Sequence, residues 1–393
     1  MAAGDRESVG SSTSCFYTPR YEDNGVRHRF ITSLDELSDH RERWEDLRRR
    51  CGGSLSSSYP LAIAWLEAHD DMVRPCVALI EDGEELVGIA PLASQEYSIH
   101  GLRVRTRSMI GDLREKLGLS DLGILCEAGR RDAVAEMFSS LKRDRWNVLR
   151  LNLLMSGKAN YQLLEMARSS WDCQEMPEAS TTILDLPGSG DIEECFGKKT
   201  RENVRRDVRR LERDTALQFR SVGEGELDRS IDKYVELHTQ RWSMRGGSLF
   251  QDADNVAFLK RSMATAFRNG FGHAYELVID GEVAAQCFGF QEGSSGWGYR
   301  TGMDDRFAKY SPGKVLILKT LTDLRDKGIR QFNAGYGNES YKRSLGGRDV
   351  SLHGIQARRG TISALARLAN APALQRLDRA LGLREKAFGD VYR

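Results

Sequence analysis

The residues best placed for chemistry follow one another where a predicted strand and loop lead into a helix. Ser311 is a residue type favoured at a helix N-cap, and Pro312 suits the first helical position, where its missing N–H costs nothing. The next backbone N–H groups would then be unpaired at the positive end of the helix. These donors belong to Gly313, Lys314 and Val315. Such a helix end binds anions, and the pyrophosphate of a nucleotide cofactor is a natural occupant.

Positive side chains near this helix start extend the predicted anion site. Lys309 and Lys314 lie at its rim, and Arg300 interrupts the preceding strand with a charge. Arg300 either clamps a carboxylate or phosphate of a substrate or pairs with a nearby acid.

A basic helix is predicted upstream, at Lys198–Arg213. Apolar residues recur at Val204, Val208 and Leu211, the spacing of a helix with one buried face. The rest of this segment carries eight Lys or Arg against three acids. A solvated helix face is the ordinary interpretation, and the residues from Lys198 to Arg206 are the better phosphate candidates.

The elements that must position these residues form a pattern that occurs twice. Hairpins are predicted at 78–90 and 276–288, each with an apolar run, Asp-Gly-Glu and a second apolar run. Each hairpin is followed later by a helix and a strand, at 132–154 and at 314–334. The sequence therefore predicts a divergent internal duplication of an α/β unit.

Length and composition indicate a protein of two globular domains. The chain has 393 residues and a net charge of +1, so no overall field draws it onto nucleic acid or a membrane. Its seven cysteines are scattered and contain no CxxC pair, which argues against a disulfide framework and a thiolate zinc site. No long apolar stretch and no signal-peptide pattern occur, so we predict a cytoplasmic protein without membrane insertion and without a metal.

The order of these motifs resembles the core of GNAT acyltransferases. The fuller pattern is similar to the BioF2-like or CelD-type branch, which is related to the FemAB peptidoglycan aminoacyltransferases. The matching points between residues 27 and 347 are Pro60...Trp65, Gly88-Ile-Ala-Pro-Leu92, Arg201...Arg205-Arg206, Arg241-Trp242, Ser311-Pro312-Gly313 and Tyr341-Lys342. The cofactor loop departs from the family, because Ala308-x-x-Ser311-x-Gly313 stands where Gln/Arg-x-x-Gly-x-Gly/Ala is usual. Because of this departure, the resemblance specifies the fold more closely than it specifies the identity of the acyl donor.

The resemblance implies an α/β fold of two tandem GNAT-like domains, each with a mixed, mostly antiparallel central sheet flanked by helices. We place a disordered leader at 1–25, a degenerate N-terminal domain at 26–190, a catalytic domain at 191–350 and C-terminal amphipathic helices at 351–393. The first domain is considered degenerate because it lacks the Ser-Pro-Gly helix start.

The resemblance also implies direct attack of a substrate amine on the thioester of acyl-CoA, with acetyl-CoA as the expected donor. Backbone N–H groups around Gly298–Met303 would stabilise the oxyanion. Tyr341 stands where the family often places the acid that protonates the leaving thiolate, although a structural tyrosine fits almost as well. The candidate bases are Asp304, Asp305, Glu339 and His238, and each is also a common surface or capping group.

Two further sets of residues follow from this comparison. The donor would be held by Lys309, Ser311, Gly313, Lys314 and Val315. The acceptor would be contacted by Arg241, Trp242, Arg300 and Lys342, and Trp242 fits a core position equally well.

Three functions remain open at this point. The first is an N-acyltransferase acting on the amine of a small molecule, an amino acid or a sugar. The second is a FemAB-like transferase that takes an aminoacyl group from tRNA, which Lys198–Arg213 favours. The third is a non-catalytic accessory protein of exopolysaccharide biosynthesis, which the altered cofactor loop favours. An acyl-carrier protein could also replace CoA as the donor.

Overall fold

The structure is a computed structural model that describes residues 25–99, 102–112, 118–243, 247–337 and 339–369. The predicted leader, apart from residue 25, and the chain beyond residue 369 lie outside these ranges. In this part of the chain, no helix is long and apolar enough to cross a bilayer.

The N-terminal half contains ten strands, five α-helices and one 3-10 helix, Leu55–Ser57, in its described residues. In chain order these are β1 (Val26–Ile31), α1 (Leu34–Ser38), α2 (Arg41–Arg50), α3 (Tyr59–Ala68), β2 (Arg74–Pro75), β3 (Val77–Asp82), β4 (Glu85–Ala90), β5 (Leu92–Ile99), β6 (Leu102–Met109), β7 (Leu125–Cys126), α4 (Arg131–Arg143), β8 (Val148–Met155), α5 (Lys158–Ser170), β9 (Asp172–Glu175) and β10 (Ala179–Asp185).

The C-terminal half repeats much of this order. It contains α6 (Lys198–Asp214), β11 (Leu217–Ser221), α7 (Leu227–Trp242), α8 (Ala253–Arg268), β12 (Gly272–Ile279), β13 (Glu282–Glu292), β14 (Ser295–Met303), α9 (Pro312–Asp326), β15 (Gln331–Tyr336), α10 (Ser340–Ser344), β16 (Arg348–Arg358) and α11 (Gly360–Ala369). A short 3-10 helix, Asp305–Tyr310, precedes α9.

Local sequence signals set several of these boundaries. The Ser58 side chain accepts a hydrogen bond from the N–H of Leu61, and Pro60 lies in the first turn of α3. Asp252 caps α8 in the same way, by accepting from the N–H of Asp254. These caps satisfy backbone donors that would otherwise be unpaired at the helix start.

The predicted duplication is confirmed at the level of topology. In the hairpin of β3 and β4, Ala78 lies opposite Ala90, and in that of β12 and β13, Tyr275 lies opposite Cys287. Both turns contain a glycine with positive φ, as a tight hairpin requires. In each half a helix then leads to a strand parallel to an earlier one: β8 beside β6, and β15 beside β14.

One large sheet joins the two halves through an exchange of their last strands. Its order is β11-β12-β13-β14-β15-β10-β16-β8-β6-β5-β2. The last strand of the first half, β10, is antiparallel to β15, and the last strand of the second half, β16, is antiparallel to β8. The halves therefore share main-chain hydrogen bonds and are not separable bodies.

The C-terminal boundary needs a correction. Residues 351–358, which we predicted to begin a helical region, continue β16. Leu352, Ile355 and Ala357 are buried in this strand, which is inserted between β10 and β8. Helix α11 follows at residues 360–369, and the remaining predicted helices lie outside the described residues.

Helices cover both faces of the C-terminal sheet. On one face, α6 and α9 pack over a core that contains Val204, Leu211 and Val315. On the other face, α7 and α8 pack over a core that continues into the N-terminal half, where α3 contacts α8. We call these the α9 face and the α7 face.

Candidate functional site

Strands β14 and β15 lie side by side only where they begin. Residues 295–297 pair with residues 331–333, and no further pair among the described residues joins the two strands. β15 then follows β10 as far as Tyr336, whereas β14 follows β13 as far as Met303. The strands therefore diverge: they still approach at Gly298, whose carbonyl oxygen would lie 2.8 Å from a Cβ at Gly335, and no described strand pairs with this edge of β14 beyond it. The oxyanion donors predicted at Gly298–Met303 lie on this edge, which we call the open segment.

A β-bulge interrupts β14 at the start of the open segment. Gly298 lies opposite Gly289, and Arg300 lies opposite Phe288, so Tyr299 is an additional residue on β14. A bulge of this kind redirects the side chains that follow it.

The bulge keeps Arg300 on the α7 face. Tyr299 packs against the core of that face, and the guanidinium of Arg300 lies 4.3 Å from the centre of the Tyr299 ring. Gly302 follows Arg300 by two residues along β14 and lies on the same face, since a Cβ at Gly302 would be 2.8 Å from the ring of Tyr234 on α7. Strict alternation from Tyr299 would have placed Arg300 on the α9 face.

Helix α9 starts at the predicted residues, but its free donors differ from the prediction. Ser311 is at the N-cap position with a φ of 52°, and its side chain makes no capping hydrogen bond. Its carbonyl oxygen accepts from the N–H groups of Lys314 at 3.0 Å and Val315 at 3.4 Å. The prediction of three free donors is therefore wrong, because the Ser311 carbonyl oxygen accepts the first i→i−4 bond of the helix from Val315 and an i→i−3 bond from Lys314.

Gly313 keeps its N–H without a backbone partner among the described residues. This residue lies directly beyond the end of β14, since a Cβ there would be 3.3 Å from the sulfur of Met303. Val315 is fully buried, so neither its side chain nor its N–H is available to a ligand.

Positively charged side chains lie beside the start of α9. Arg210 of α6 donates to the carbonyl oxygen of Lys309 at 3.1 Å and lies over the Tyr310 ring. The ammonium group of Lys309 lies over the same ring, 4.7 Å from its centre. Asp214 at the end of α6 lies 3.8 Å from Arg210, and the charge of Lys309 acts on it as well. Lys314 has no carboxylate partner in the described part of the chain. We call Arg210, Lys309, Gly313 and Lys314 the donor patch.

A second group of side chains comes together on the α7 face. Trp242, at the end of α7, is 40% exposed and stacks on the ring of His238, with 5.8 Å between ring centres. Arg241 lies 3.6 Å from Asp305. The positive charges of Arg300 and Arg241 both act on His238. We call His238, Arg241, Trp242 and Arg300 the α7 cluster.

His238 is held as a neutral imidazole. Burial lowers its pKa to about 4, and the charges of Arg300 and Arg241 act in the same direction. Its Nδ1 lies 2.8 Å from the hydroxyl oxygen of Ser248, which also accepts from the N–H of Phe250. Of the four predicted bases, His238 is thus neutral at pH 7 and not committed to an ion pair.

Tyr341 lies on α10 at the open end of β15. Its side chain is 40% exposed, and Tyr336 at the end of β15 is 57% exposed. Burial of the hydroxyl, followed by the charge of Glu339, raises the pKa of Tyr341 to about 12. The phenol is therefore protonated at neutral pH and can donate a proton.

Lys342 and Glu339 are engaged with the protein itself. Lys342 is 3% exposed, and its ammonium donates to the carbonyl oxygens of Tyr336 at 2.6 Å and Gly335 at 3.1 Å. It also forms an ion pair of 2.9 Å with Glu339. Lys342 therefore holds the end of β15 against α10, and this burial does not fit the substrate contact that we predicted for it.

Asp304 acts as a capping group. Its carboxylate accepts from the N–H and the guanidinium of Arg306, at 2.8 and 2.9 Å. Burial alone would raise the pKa of Asp304, but the hydrogen bonds from Arg306 outweigh it and the pKa is lowered. Asp304 is therefore engaged as a capping group and in an ion pair with Arg306, and this does not fit the catalytic role that we predicted for it.

A cleft of about 450 Å³ lies between the halves, on the α7 face near the start of β14. Its lining includes Arg49, Asp121, Trp297 and Asn333. The indole N–H of Trp297 donates to Asp121 at 3.2 Å, and burial raises the pKa of this carboxyl to about 6. Sequence reasoning missed Asp121, because nothing in its local pattern marks it and only the packing of the halves brings it to the site.

The family comparison concerns the segment that carries this geometry. Residues 198–343, from the first residue of α6 into α10, match the model of the acetyltransferase (GNAT) domain. No curated protein sequence gives a significant match to the chain. Within the described residues no group of His, Cys, Asp and Glu side chains is arranged to hold a metal ion.

Solved structures resemble the whole chain in fold. FemX aligns over 90% of this chain and 99% of its own, with 10% identity and a TM-score of 0.60. A tandem GNAT protein from the clavulanic acid biosynthesis pathway aligns over 85% and 99%, with 13% identity and a TM-score of 0.50. L-PGS from Bacillus licheniformis aligns over 83% and 96%, with 12% identity and a TM-score of 0.50.

Proposed function

We propose the following reaction for this chain, which is an acyltransferase of the GNAT superfamily with a fold similar to those of FemX and of a tandem GNAT protein. It transfers an acyl group from a phosphopantetheine thioester, with acetyl-CoA as the expected donor, to an amine of a small molecule, an amino acid or a sugar. The predicted cytoplasmic location agrees with such a donor and stays part of the proposal.

The observation that carries the proposal is the separation of β14 from β15. The donor patch lies beyond the end of β14, and the α7 cluster lies on the opposite face of the sheet. β14 and β15 are unpaired beyond residues 297 and 333, so a thioester held on one face can meet an amine from the other where the strands diverge. Holding both reactants in this way removes much of the entropic barrier to their reaction.

The donor patch fits the phosphates of such a donor. The N–H of Gly313 is free at the positive end of α9, and Lys314 has no acidic partner among the described residues. Lys309 and Arg210 add two further cations, and the acid beside them is Asp214, which lies 3.8 Å from Arg210. The Ala308-x-x-Ser311-x-Gly313 loop therefore retains fewer backbone donors than we predicted and supplements them with side-chain charge.

The chemical step follows from the groups around the opening. The neutral amine attacks the thioester carbonyl, so a C–N bond forms and the C–S bond breaks. Backbone N–H groups on the open segment of β14 stabilise the oxyanion. His238 accepts the proton that the attacking nitrogen releases, and Tyr341 donates a proton to the leaving thiolate.

A transfer assay tests the proposal. We expect the purified chain to release free thiol from acetyl-CoA only when an amine acceptor is present, in a panel of amino acids, amino sugars and diamines. His238→Ala should lower the rate by about 10²-fold or more, as loss of a general base does. Acceptor-independent release at the same rate would show that hydrolysis, not transfer, is measured and would count against the proposal.

A tRNA-borne donor is the second candidate. FemX has a TM-score of 0.60 to this chain, and Lys198, Lys199 and Arg209 on α6 have no carboxylate partner among the described residues. Such a donor would lose affinity steeply with salt, because phosphate contacts release counterions. An electrophoretic shift with aminoacyl-tRNA at two salt concentrations, beside acetyl-CoA titration, separates the two donors. Binding of neither donor would leave the non-catalytic accessory role.

A further inference from the structure

The cleft between the two halves has polar side chains on both of its walls. Its floor is the α7 face of β14, β15 and β10, where Trp297, Asn333 and Ile183 lie side by side in register. Its roof comes from the N-terminal half and includes Ser54 and Asp121. The volume of about 450 Å³ lies in the range of sites that bind small ligands.

Asn333 contributes an unpaired donor to the floor. Its side-chain oxygen accepts from the N–H of Gly335 at 2.9 Å and from the hydroxyl of Thr181. Because a backbone N–H can only donate, these bonds identify the amide oxygen and place the nitrogen on the other side of the group. Asn333 is only 5% exposed, yet this nitrogen has no hydrogen-bond partner among the described residues and is not sealed from solvent. Its N–H groups are therefore available to a ligand in the cleft.

Asp121 contributes an acceptor from the roof. Its Oδ1 accepts from the hydroxyls of Ser56 at 2.9 Å and Ser120 at 3.2 Å. In the described ranges Oδ2 accepts only from the indole N–H of Trp297, at 3.2 Å, and no Lys or Arg pairs with the carboxyl group. A carboxyl oxygen has two lone pairs, so Oδ2 can accept a further hydrogen bond from a ligand.

The free donor and the free acceptor face the same space. The Trp297 indole joins Asp121 to β14, and Asn333 lies beside Trp297 on β15, about 4.8 Å away across the sheet. A hydroxyl group both donates and accepts, so it can satisfy the two side chains together. An ammonium group would satisfy Asp121 and leave the N–H groups of Asn333 unpaired, and a carboxylate would do the reverse. A buried polar group that a ligand leaves unpaired costs affinity.

The charged residues of the lining do not form a site for an ion. Arg48 lies in the lining, but its guanidinium is paired with Glu45 and Glu292. Arg49 is exposed, and the same lining contains the acid Asp121. Charges of both signs therefore surround the cleft, which favours a neutral ligand with hydrogen-bonding groups.

We infer that the cleft binds the ring of a sugar beside the Trp297 side chain, with a sugar hydroxyl that accepts from Asn333 and donates to Asp121. Trp297 and Asn333 form the last pair between β14 and β15 in the described residues, so the sugar lies next to the point where the strands diverge. As a statement about the acceptor, the inference rests on the proposed function. It narrows the acceptors to amino sugars and excludes amino acids and diamines.

Calorimetric titration with glucose, galactose and mannose tests the site with ligands that carry no charge. We expect saturable binding of at least one of them, with a dissociation constant about tenfold higher or more in Asn333→Asp. This change keeps an oxygen for Gly335 and Thr181 and removes both N–H donors. Cyclohexylamine has a ring of the same size with an ammonium group as its one polar group. It should bind about tenfold more weakly or less than the best sugar, because it leaves Asn333 unpaired.

Two further variants make the result decisive. Asn269→Asp introduces the same charge at an exposed asparagine at the end of α8 and should bind sugar as the wild type does. Asp121→Asn places N–H donors where a carboxyl oxygen accepts, and it should weaken sugar binding even if Asn333→Asp does not fold. A melting curve for each variant shows that it is folded. The inference is overturned by no saturable sugar binding in folded wild type, by unchanged affinity in a folded cleft variant, or by equal binding of cyclohexylamine.

The proposed reaction can fail separately. With acetyl-CoA as donor, the amino form of the best-bound sugar should be the preferred acceptor. If sugar binding depends on Asn333 but no amine is acetylated, the sugar site stands and the proposed reaction is rejected. If amino acids or diamines are acetylated and amino sugars are not, the reaction stands and the inference about the acceptor is wrong.

Discussion

At the scale of single residues, Tyr341 and His238 define the proton transfers of the proposed reaction. Both have pKa values displaced away from neutrality, to about 12 and about 4. Each is therefore in the state that the reaction requires, protonated for Tyr341 and neutral for His238, throughout the physiological range.

Tyr341→Phe should lower kcat by about 10²-fold, because the phenol proton for the leaving thiolate is lost. Donor affinity should change less than twofold, since the donor patch is unaffected. Tyr336→Phe is the matched control, as Tyr336 is the neighbouring exposed tyrosine at the end of β15. Equal kcat values for the two variants would assign Tyr341 a structural role only.

The pH profile of the reaction follows from the same two groups. His238 loses its neutral form only as pH falls toward about 4, and Tyr341 loses its proton only as pH rises toward about 12. With a saturating acceptor, kcat should therefore be flat from about pH 6 to about pH 9. A transition near pH 6.5 that disappears in His238→Ala would contradict the neutral state assigned to this histidine.

At the scale of elements, the sequence predicted what local signals determine. The hairpin turns, the start of α9 and the helix-then-strand order follow from Asp-Gly dipeptides, Ser-Pro and apolar spacing, and they are confirmed. The bulge at Tyr299 carries no such signal, yet it decides which face Arg300 occupies. Likewise, we predicted Lys342 as an acceptor contact, and only the turn after β15 provides the carbonyl oxygens that bind its ammonium group in the interior.

Lys342→Met tests whether this lysine positions α10 or binds substrate. Its hydrogen bonds join the end of β15 to α10, so their loss should destabilise the fold by about 1–3 kcal/mol and leave Tyr341 poorly placed. We expect a lower urea midpoint and a lower kcat, with KM for the acceptor little changed. An increase in KM with unchanged stability would restore the predicted substrate contact.

At the scale of the whole molecule, the exchange of β10 and β16 makes the two halves one structure. Strand β10 lies between β15 and β16 of the C-terminal half, and β16 lies between β10 and β8 of the N-terminal half, so neither half contains all of its own sheet. The sequence showed the duplication but not the exchange, because strand pairing over more than a hundred residues leaves no local pattern.

The isolated segment 26–190 should therefore not fold cooperatively. Without β16, the edges of β8 and β10 are both exposed, and the core that α3 shares with α8 is lost. The full chain should unfold in a single transition in urea, seen equally by fluorescence and circular dichroism. A cooperative transition of the isolated segment would show that its domain boundary is real.

Acid should destabilise the molecule through buried histidines. Burial lowers the pKa of His273 to about 3, against an ordinary value of 6.5. The unfolded chain therefore binds a proton that the folded chain does not, and stability falls by about 1.4 kcal/mol for each pH unit as pH decreases below 6.5. Asp121 acts in the opposite sense, because its pKa is raised on folding.

The contribution of His273 can be isolated by comparison with His273→Asn. Urea unfolding at pH 7 and at pH 5 should give a smaller loss of stability for the variant than for the wild type, by about 2 kcal/mol. An equal loss in both proteins would mean that His273 is protonated in the folded state.

The central claim is that an acyl donor is held beyond the end of β14, at the start of α9. Calorimetric titration with acetyl-CoA tests it in the wild type, in Gly313→Glu and in Gly223→Glu. Gly313 has the sulfur of Met303 near its Cβ position and lies in the donor patch, whereas Gly223 has open space around it on the surface. We predict saturable binding by the wild type and Gly223→Glu and its loss in Gly313→Glu, because the added carboxylate repels the donor's phosphates. Unchanged affinity in folded Gly313→Glu would contradict the account.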